Sequence, residues 1–524
     1  MGRTARWVNG ITFVCIALLV PNLSAQTPEE WFRSGREAVV TAKQRTIRTQ
    51  KAKNVILFVG DGMGVTTVTA ARIFEGQLRG KSGEENLLSF EKLPFTALIK
   101  TYNTNMQTPD SAGTMTAMVT GVKTKAGVLS IDDRVTVGDA ATAKGRELRT
   151  IVELAEQAGL STGVVTNTRV THATPAACFA HSPDRDWESD QDQPESARTA
   201  RYPDIARQLI EFSFGDGLEV VLGGGRSAFL PKTMADPEDS NATGRRLDQR
   251  DLTAEWLKLP NSAYVWNRTQ FEALDVSNVR HVLGLFERTH MEYESDRARD
   301  VGGEPSLSDL TSKAIEILMK NPKGYFLMVE GGRIDHAHHA TNAYRALTET
   351  VEFANAVRVA MNKTDRNDTL LIVTADHSHV FTMAGYPTRG NPILGKVITN
   401  KEDGTPATEP AKDGLGLPYT SLGYANGPGY AGPSRSQPEG AKHFPHEGME
   451  FSAATRGRPD LSTVDTAAPD HLQECTMPLS SETHGGEDVA LYADGPQAHL
   501  FHGVLEQNVI FHVMVEALGL STDR

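Results

Sequence analysis

Cysteine is almost missing from this chain. Three occur in 524 residues, Cys15, Cys178 and Cys475, and Cys15 falls within an N-terminal export signal. Two remaining thiols exclude a disulfide scaffold, and neither has a Cys-x-x-Cys partner, which excludes thiolate zinc sites. They form either one disulfide in an oxidising compartment or two buried free thiols. Long apolar runs are scarce as well. The run Ile11 to Val20 is about half the ~20 residues that a membrane span requires. Arg3 and Arg6 precede it, and Pro21 and Leu23-Ser24-Ala25 follow it, the pattern of a secretory signal over residues 1–25. The C-terminus, Leu518 to Arg524, has no hydrophobic tail for a lipid anchor. An exported protein, periplasmic or secreted, with neither membrane span nor anchor is expected. Basic charge is also short: 53 Lys and Arg face 66 Asp and Glu, for a net −13 without a long basic run, which disfavours nucleic acid as a partner. No internal repeat of about 20 to 50 residues is present.

What is present is a regular alternation. Short apolar, β-branched runs occur at Asn54 to Val59, Gly163 to Thr166, Leu218 to Leu222, Tyr325 to Val329, Leu370 to Thr374 and Asp488 to Tyr492. Helical patterns lie between them, at Leu148 to Ala158, Tyr202 to Phe212, Leu307 to Met319 and Ala343 to Met361. Continuously apolar strands alternating with helices predict an α/β fold, a large and mainly parallel central sheet with helices on both faces. Ligands of such sheets bind beyond the carboxyl ends of the strands. The expected organisation is one catalytic domain over 26–524. Within it, roughly Gly385 to Ser480 is Gly- and Pro-rich with few apolar runs, the composition of an inserted, loop-rich subdomain (385–480) near the mouth of the site. At the other end, Thr27-Pro28-Glu29-Glu30 is a capping box opening a helix that carries Trp31, Phe32, Ala38 and Val39.

The residues able to do chemistry fall where strands end. Asp61, in Gly60-Asp61-Gly62-Met63-Gly64, follows the first strand; the glycines do not match Gly-x-Gly-x-x-Gly, so Asp61 is expected to face the crevice as a ligand. Glu330 ends the fourth strand and leads into Gly331-Gly332-Arg333-Ile334-Asp335-His336-Ala337-His338-His339. Asp335 and His339 stand at i and i+4, on one side of a helix, and can grip one ion. Zinc takes such O and N donors, whereas the carboxylate of Glu330 suits a harder ion such as Mg2+. Ala375-Asp376-His377-Ser378-His379 ends another apolar strand, and Glu482-Thr483-His484-Gly485-Gly486-Glu487-Asp488 places His484 on a Gly-flanked turn. Thr108-Pro109-Asp110-Ser111-Ala112-Gly113-Thr114 puts a serine hydroxyl at the start of a helix. A serine among carboxylates and imidazoles from distant segments points to a nucleophile ionised by a metal, and so to phosphoryl transfer.

Together these motifs make the chain resemble an alkaline phosphatase, from about Trp31 to the C-terminus. Carried over motif by motif, the resemblance makes Ser111 the phosphorylated nucleophile. It assigns Asp335, His339 and His484 to one zinc, and Asp61, Asp376 and His377 to a second, which Ser111 also touches. Asp61, Thr174 and Glu330 match a magnesium site, and Arg185 matches an arginine that clamps phosphate. His172 and His336 replace the Asp and Lys of the better-studied bacterial branch, so the chain is similar to the animal-type branch. They are expected to act through water or phosphate rather than by direct metal bonds. A calcium site is suggested at Glu238, the Phe286 carbonyl, Glu287 and Glu304, the last replacing an aspartate after a local length change. The resemblance further implies a broad range of phosphate monoesters as substrates, inorganic phosphate as product, and a homodimer. A sulfatase would require Cys/Ser-x-Pro-x-Arg, whereas Ser111 is followed by Ala112-Gly113-Thr114.

Overall fold

The computed structural model describes residues 27–522, so the export signal expected at residues 1–25 lies outside the described residues. Two compact units are present, one ending at Arg45 and one beginning at Thr46. In the first, the helix Pro28–Lys43 starts with the expected capping box: Thr27 Oγ1 accepts from Glu30 N (3.2 Å), and Glu30 Oε2 accepts from Thr27 N (2.7 Å). None of its residues is buried, and Trp31, Phe32, Val39 and Val40 are exposed.

The second unit is built on strands β1 (Asn54–Gly60), β2 (Phe95–Lys100), β3 (Ser161–Arg169), β4 (Val220–Gly224), β5 (Ser262–Val265), β6 (His281–Leu285), β7 (Tyr325–Gly331) and β8 (Thr369–Ala375). Then follow β9 (Ser378–His379), β10 (Phe381–Met383), β11 (Leu422–Gly427), β12 (Cys475–Pro478), β13 (His484–Gly485), β14 (Val489–Asp494) and β15 (Val504–Glu506). Ten of them form one sheet in the order β15-β2-β14-β8-β1-β7-β3-β4-β6-β5. Pairing is parallel except at β14, which runs antiparallel to both β2 and β8. Every residue of β1, β7 and β8 is buried, as continuous Val, Ile, Leu and Phe require of strands covered on both faces. Helices Val65–Leu78, Leu307–Leu318 and Ala343–Lys363 pack together in one layer; Ser111–Thr120, Ile151–Ala158 and Val509–Leu518 pack in another.

The strand β2 does not show in the sequence pattern, because Thr96 interrupts its short apolar run; in the fold Thr96 and Leu98 face solvent. The predicted helix Tyr202 to Phe212 contracts to Ile205–Ile210, capped by Asp204. Beyond the main sheet lie a three-stranded sheet, β10-β11-β12, and a two-stranded one, β13-β9. From Ala384 to Glu474 the chain forms β11 and isolated bridges such as Lys396↔Thr420 and His443↔His471. Cys178 and Cys475 are both buried and free, so the disulfide alternative is not realised. Burial pushes the Cys475 thiol up to about 12, and its Sγ donates to the Gly427 carbonyl (3.1 Å). Among the described residues, no helix is long and apolar enough to cross a membrane.

Candidate active site

Four neighbouring parallel strands, β8-β1-β7-β3, supply the floor of the site from their carboxyl ends. Asp61 directly follows β1, Asp376 follows β8, and Glu330 pairs in register with Val59 on one side and Thr166 on the other. Parallel strands in register end together, so groups remote in sequence arrive at one place.

Ser111 is the first residue of the helix Ser111–Thr120, and Asp110 caps that helix by accepting from Gly113 N (3.2 Å). The Ser111 hydroxyl is buried; it donates to Asp61 Oδ1 (3.4 Å) and lies 3.2 Å from His377 Nε2. His377 Nε2 is also 3.2 Å from Asp61 Oδ1 and 3.4 Å from Asp376 Oδ2. Beside this group, Asp335 Oδ1 is 3.3 Å from His339 Nε2 and 3.4 Å from His484 Nε2, and the two imidazole nitrogens stand 3.2 Å apart. The helix Arg333–His339 presents Asp335 and His339 on one side, as their spacing predicts.

Hydrogen bonds fix which ring nitrogen of each histidine faces inward. A carbonyl oxygen only accepts, so a ring nitrogen bonded to one must carry the proton. His339 Nδ1 donates to the Glu482 carbonyl (2.5 Å), His484 Nδ1 to that of Pro109 (2.8 Å), and His377 Nδ1 to that of Ser378 (3.2 Å). In the neutral rings all three Nε2 lone pairs therefore point inward, toward one another and toward carboxylates. Two lone pairs 3.2 Å apart repel unless a cation lies between them. Such a donor set, imidazole Nε2 with Asp oxygens, fits zinc.

A third group is harder in character. Asp61 Oδ2, Glu330 Oε1 and Thr174 Oγ1 are buried without a hydrogen-bond partner, an arrangement that costs free energy unless an oxygen-seeking cation completes it. Thr166 and Thr168 donate to the other Glu330 oxygen, Oε2. Burial, only partly offset by those hydroxyls, raises the Glu330 pKa from 4.5 to about 7. Burial, then the charges of Asp376, Asp335 and Glu330, pushes Asp61 well above the ordinary carboxylate range. Asp335 behaves oppositely: burial would raise it, but the surrounding imidazoles, His339 first and then His379 and His484, hold it well below.

Arg185 reaches across this centre. Its NH1 donates to Asp110 Oδ2 (2.7 Å) and its NH2 to His172 Nε2 (3.0 Å). A guanidinium never accepts, so His172 carries its proton on Nδ1, the buried nitrogen that lacks a partner. In that tautomer His172 offers the centre a donor, not a lone pair. Burial and then Arg185 hold the His172 pKa far below its ordinary value, keeping the ring neutral. His336 accepts at Nδ1 from Arg333 NH1 (3.0 Å), while the Arg333 guanidinium lies 3.7 Å over the Tyr293 ring.

The residues expected in the central site meet there. Sequence reading misses His379, whose Nε2 is 2.8 Å from Asp335 Oδ1, and Glu482, whose Oε2 is 2.5 Å from His379 Nδ1. Both stand inside motifs already singled out, and the i, i+2 spacing of His377 and His379 is the available signal. It also misses Asp110 as the partner of Arg185.

The expected calcium group needs correction. Glu238 and Glu287 do meet, but the third carboxylate within 4.8 Å is that of Asp300. Glu304 is buried nearby, accepting from Glu292 N (2.9 Å) at one oxygen and leaving the other without a partner. Burial first, then the charges of Glu287 and Asp300, raises its pKa to about 10. Phe286 is buried with its ring edge-on to Phe271, 5.5 Å between centroids.

Comparison with known proteins agrees with this geometry. The family model for alkaline phosphatase matches residues 52–520. The tissue-nonspecific alkaline phosphatase of Gallus gallus is 44% identical over 519 residues, covering 98% of this chain and 93% of that protein. The human tissue-nonspecific isozyme is 44% identical over 507 residues, covering 95% and 90%. Among solved structures, Thermus thermophilus alkaline phosphatase superposes with a TM-score of 0.63 at 25% identity, over 92% of this chain and 94% of that one. From the converging strand ends, the paired carboxylate and imidazole groups and a match over most of its length, the chain belongs to the alkaline phosphatase family.

Proposed function

We propose that this protein hydrolyses phosphate monoesters through a covalent phosphoseryl intermediate on Ser111, at a centre of two zinc ions and one magnesium ion. The observation that carries the reading is the set of three backbone-tethered imidazoles whose Nε2 lone pairs converge on Asp335, Asp61 and Asp376 beside the Ser111 hydroxyl. Asp335, His339 and His484 would hold one zinc; Asp61, Asp376 and His377 the second; and Asp61, Thr174 and Glu330 the magnesium. When bound, these ions supply the positive charge that lowers the pKa of the serine hydroxyl and of a water and offsets charge on the phosphoryl oxygens.

The protein's own groups do the rest. Ser111 Oγ attacks phosphorus as the bond to the leaving oxygen breaks, and in the second half a water displaces Ser111 Oγ. Arg185, held on one edge by Asp110, grips two non-bridging oxygens. Backbone N–H groups at the start of the Ser111 helix add positive potential. His172 and His336 donate to water or phosphate. Recognition is concentrated on the phosphoryl group, so a broad range of leaving groups follows, with an alkaline optimum.

Three further parts belong to the same reading. The exposed Trp31, Phe32, Val39 and Val40 would be covered in a homodimer, and residues 1–25 would direct export to the periplasm or the medium. Glu238, Glu287 and Asp300, with Glu304 beside them, would take calcium. Elemental analysis of the purified protein and a p-nitrophenyl phosphate assay test the core of the proposal. Turnover that persists after complete zinc removal would sink it.

A further inference from the structure

We propose that Glu482 is a positioning residue for the first metal site: it sets the orientation of both His339 and His379 and thereby controls how tightly Asp335, His339 and His484 retain zinc. The inference rests on the zinc reading above.

Glu482 lies between β12 and β13 and is 1% exposed. Four of its atoms hold the site from one side. Its carbonyl accepts from His339 Nδ1 (2.5 Å), and its N–H donates to the His339 carbonyl (2.9 Å). Its carboxyl group shares a hydrogen bond with His379 Nδ1 at Oε2 (2.5 Å) and accepts from Val380 N at Oε1 (2.8 Å). One residue therefore fixes the tautomer and the tilt of a proposed zinc ligand, and also the ring that touches Asp335.

The second of these contacts forms a line of three side chains. Glu482 Oε2, the His379 imidazole and Asp335 Oδ1 follow one another at 2.5 and 2.8 Å. The His379 ring cannot swing out of that line. It stacks on His338 with centroids 4.7 Å apart, and His338 is itself tethered to Thr67 Oγ1 (3.0 Å) and the Tyr424 hydroxyl (2.7 Å). The ring thus ties the Glu482 carboxyl group to Asp335, a proposed ligand, and fixes which way the Asp335 carboxylate faces. The ion-pair partners of the Glu482 carboxylate are His339 and His379. Burying a carboxylate against imidazoles alone is costly as a stabilising device; as an orienting group beside a divalent ion the placement is economical.

The test uses zinc-loaded wild type, Glu482→Ala and Glu482→Gln. Bound zinc is counted by elemental analysis, and its release to a chromogenic chelator is followed in time. Unfolding midpoints of the metal-free forms are measured alongside. Glu482→Ala is expected to release one of its two zincs about 10–100-fold faster than wild type, the range found when such supporting partners are removed. Glu482→Gln should fall between, since its amide still reaches His379 Nδ1 but carries no charge. If both variants keep two zincs at wild-type release rates, the Glu482 carboxylate does not position the site. The proposal is equally overturned if release changes only in proportion to a lowered metal-free unfolding midpoint. Should Glu482→Ala fail to fold, Glu482→Gln decides the matter alone. If wild type itself binds no zinc, the zinc reading fails, and this inference with it.

Discussion

Replacing Glu330 by glutamine is expected to make the metal-free protein more stable, although it removes a proposed ligand. Glu330 is fully buried and its pKa stands at about 7 against 4.5. The sign follows from proton linkage. Below pH 4.5 the carboxyl is protonated in both folded and unfolded chains, and its stabilising contribution is intact. Between 4.5 and about 7 the unfolded chain ionises while the folded one resists, so that contribution is lost as pH rises. Above about 7 the loss is complete. A rise from 4.5 to about 7, at ~1.36 kcal/mol per pH unit, corresponds to about 3 kcal/mol. Glutamine mimics the protonated acid at every pH. Its carbonyl can accept from Thr166 and Thr168 as Glu330 Oε2 does, and its amide would face Asp61 Oδ2, which lacks a partner. Urea unfolding of chelator-treated wild type and Glu330→Gln at about pH 4.5 and about pH 8.5 reads the difference directly. Near-equal midpoints are expected at the lower pH, and an advantage of about 3 kcal/mol for the variant at the higher one. Magnesium should then restore the wild type and leave the variant unchanged. If the metal-free variant is no more stable than wild type at the higher pH, the claim that Glu330 is a strained carboxyl awaiting a cation is wrong.

Other outcomes can be checked by simpler means. Ser111→Ala should lower p-nitrophenyl phosphate turnover roughly a thousandfold or more, with zinc content unchanged; near-normal turnover would remove serine as nucleophile. Arg185→Ala forfeits two charge-assisted hydrogen bonds of about 1.5–3 kcal/mol each, so kcat/KM should fall roughly a hundredfold to ten-thousandfold, and the apparent affinity for inorganic phosphate should weaken too. Paired Trp31→Ser and Phe32→Ser changes should move the protein from dimer to monomer in sedimentation velocity; an unaltered profile would show that this helix face is not the interface.

Much of this centre can be read from the sequence, because its main carboxylates and imidazoles sit where local rules are strong. Asp61, Glu330 and Asp376 follow continuously apolar runs, which announce buried parallel strands and hence their carboxyl ends. Asp335 and His339 need only helical spacing, and Ser111 needs only the Asp110 cap. What stays hidden depends on long-range placement. Glu482 acts on His379 through its carboxylate and on His339 through its carbonyl and N–H, contacts that only the folded chain brings together. His379 shares a motif with His377, yet only the turn after β8 decides that one faces the serine and the other Asp335. Asp300 joins Glu238 and Glu287 only in the folded chain, and β2 escapes notice because Thr96 interrupts its short apolar run.

The short ladder between β9 and β13 has a consequence for how such enzymes diversify. His484 pairs with His379, and Gly485 with Ser378, so the long excursion that departs after β9 is stapled shut at its root by the very segments that carry imidazoles to the centre. Lengthening a tethered loop costs little more with each added residue. The stretch between β10 and β11 is thus free to grow, shrink or change its surface chemistry, whereas Tyr424 and Glu482, which touch His338, His339 and His379, must keep their places.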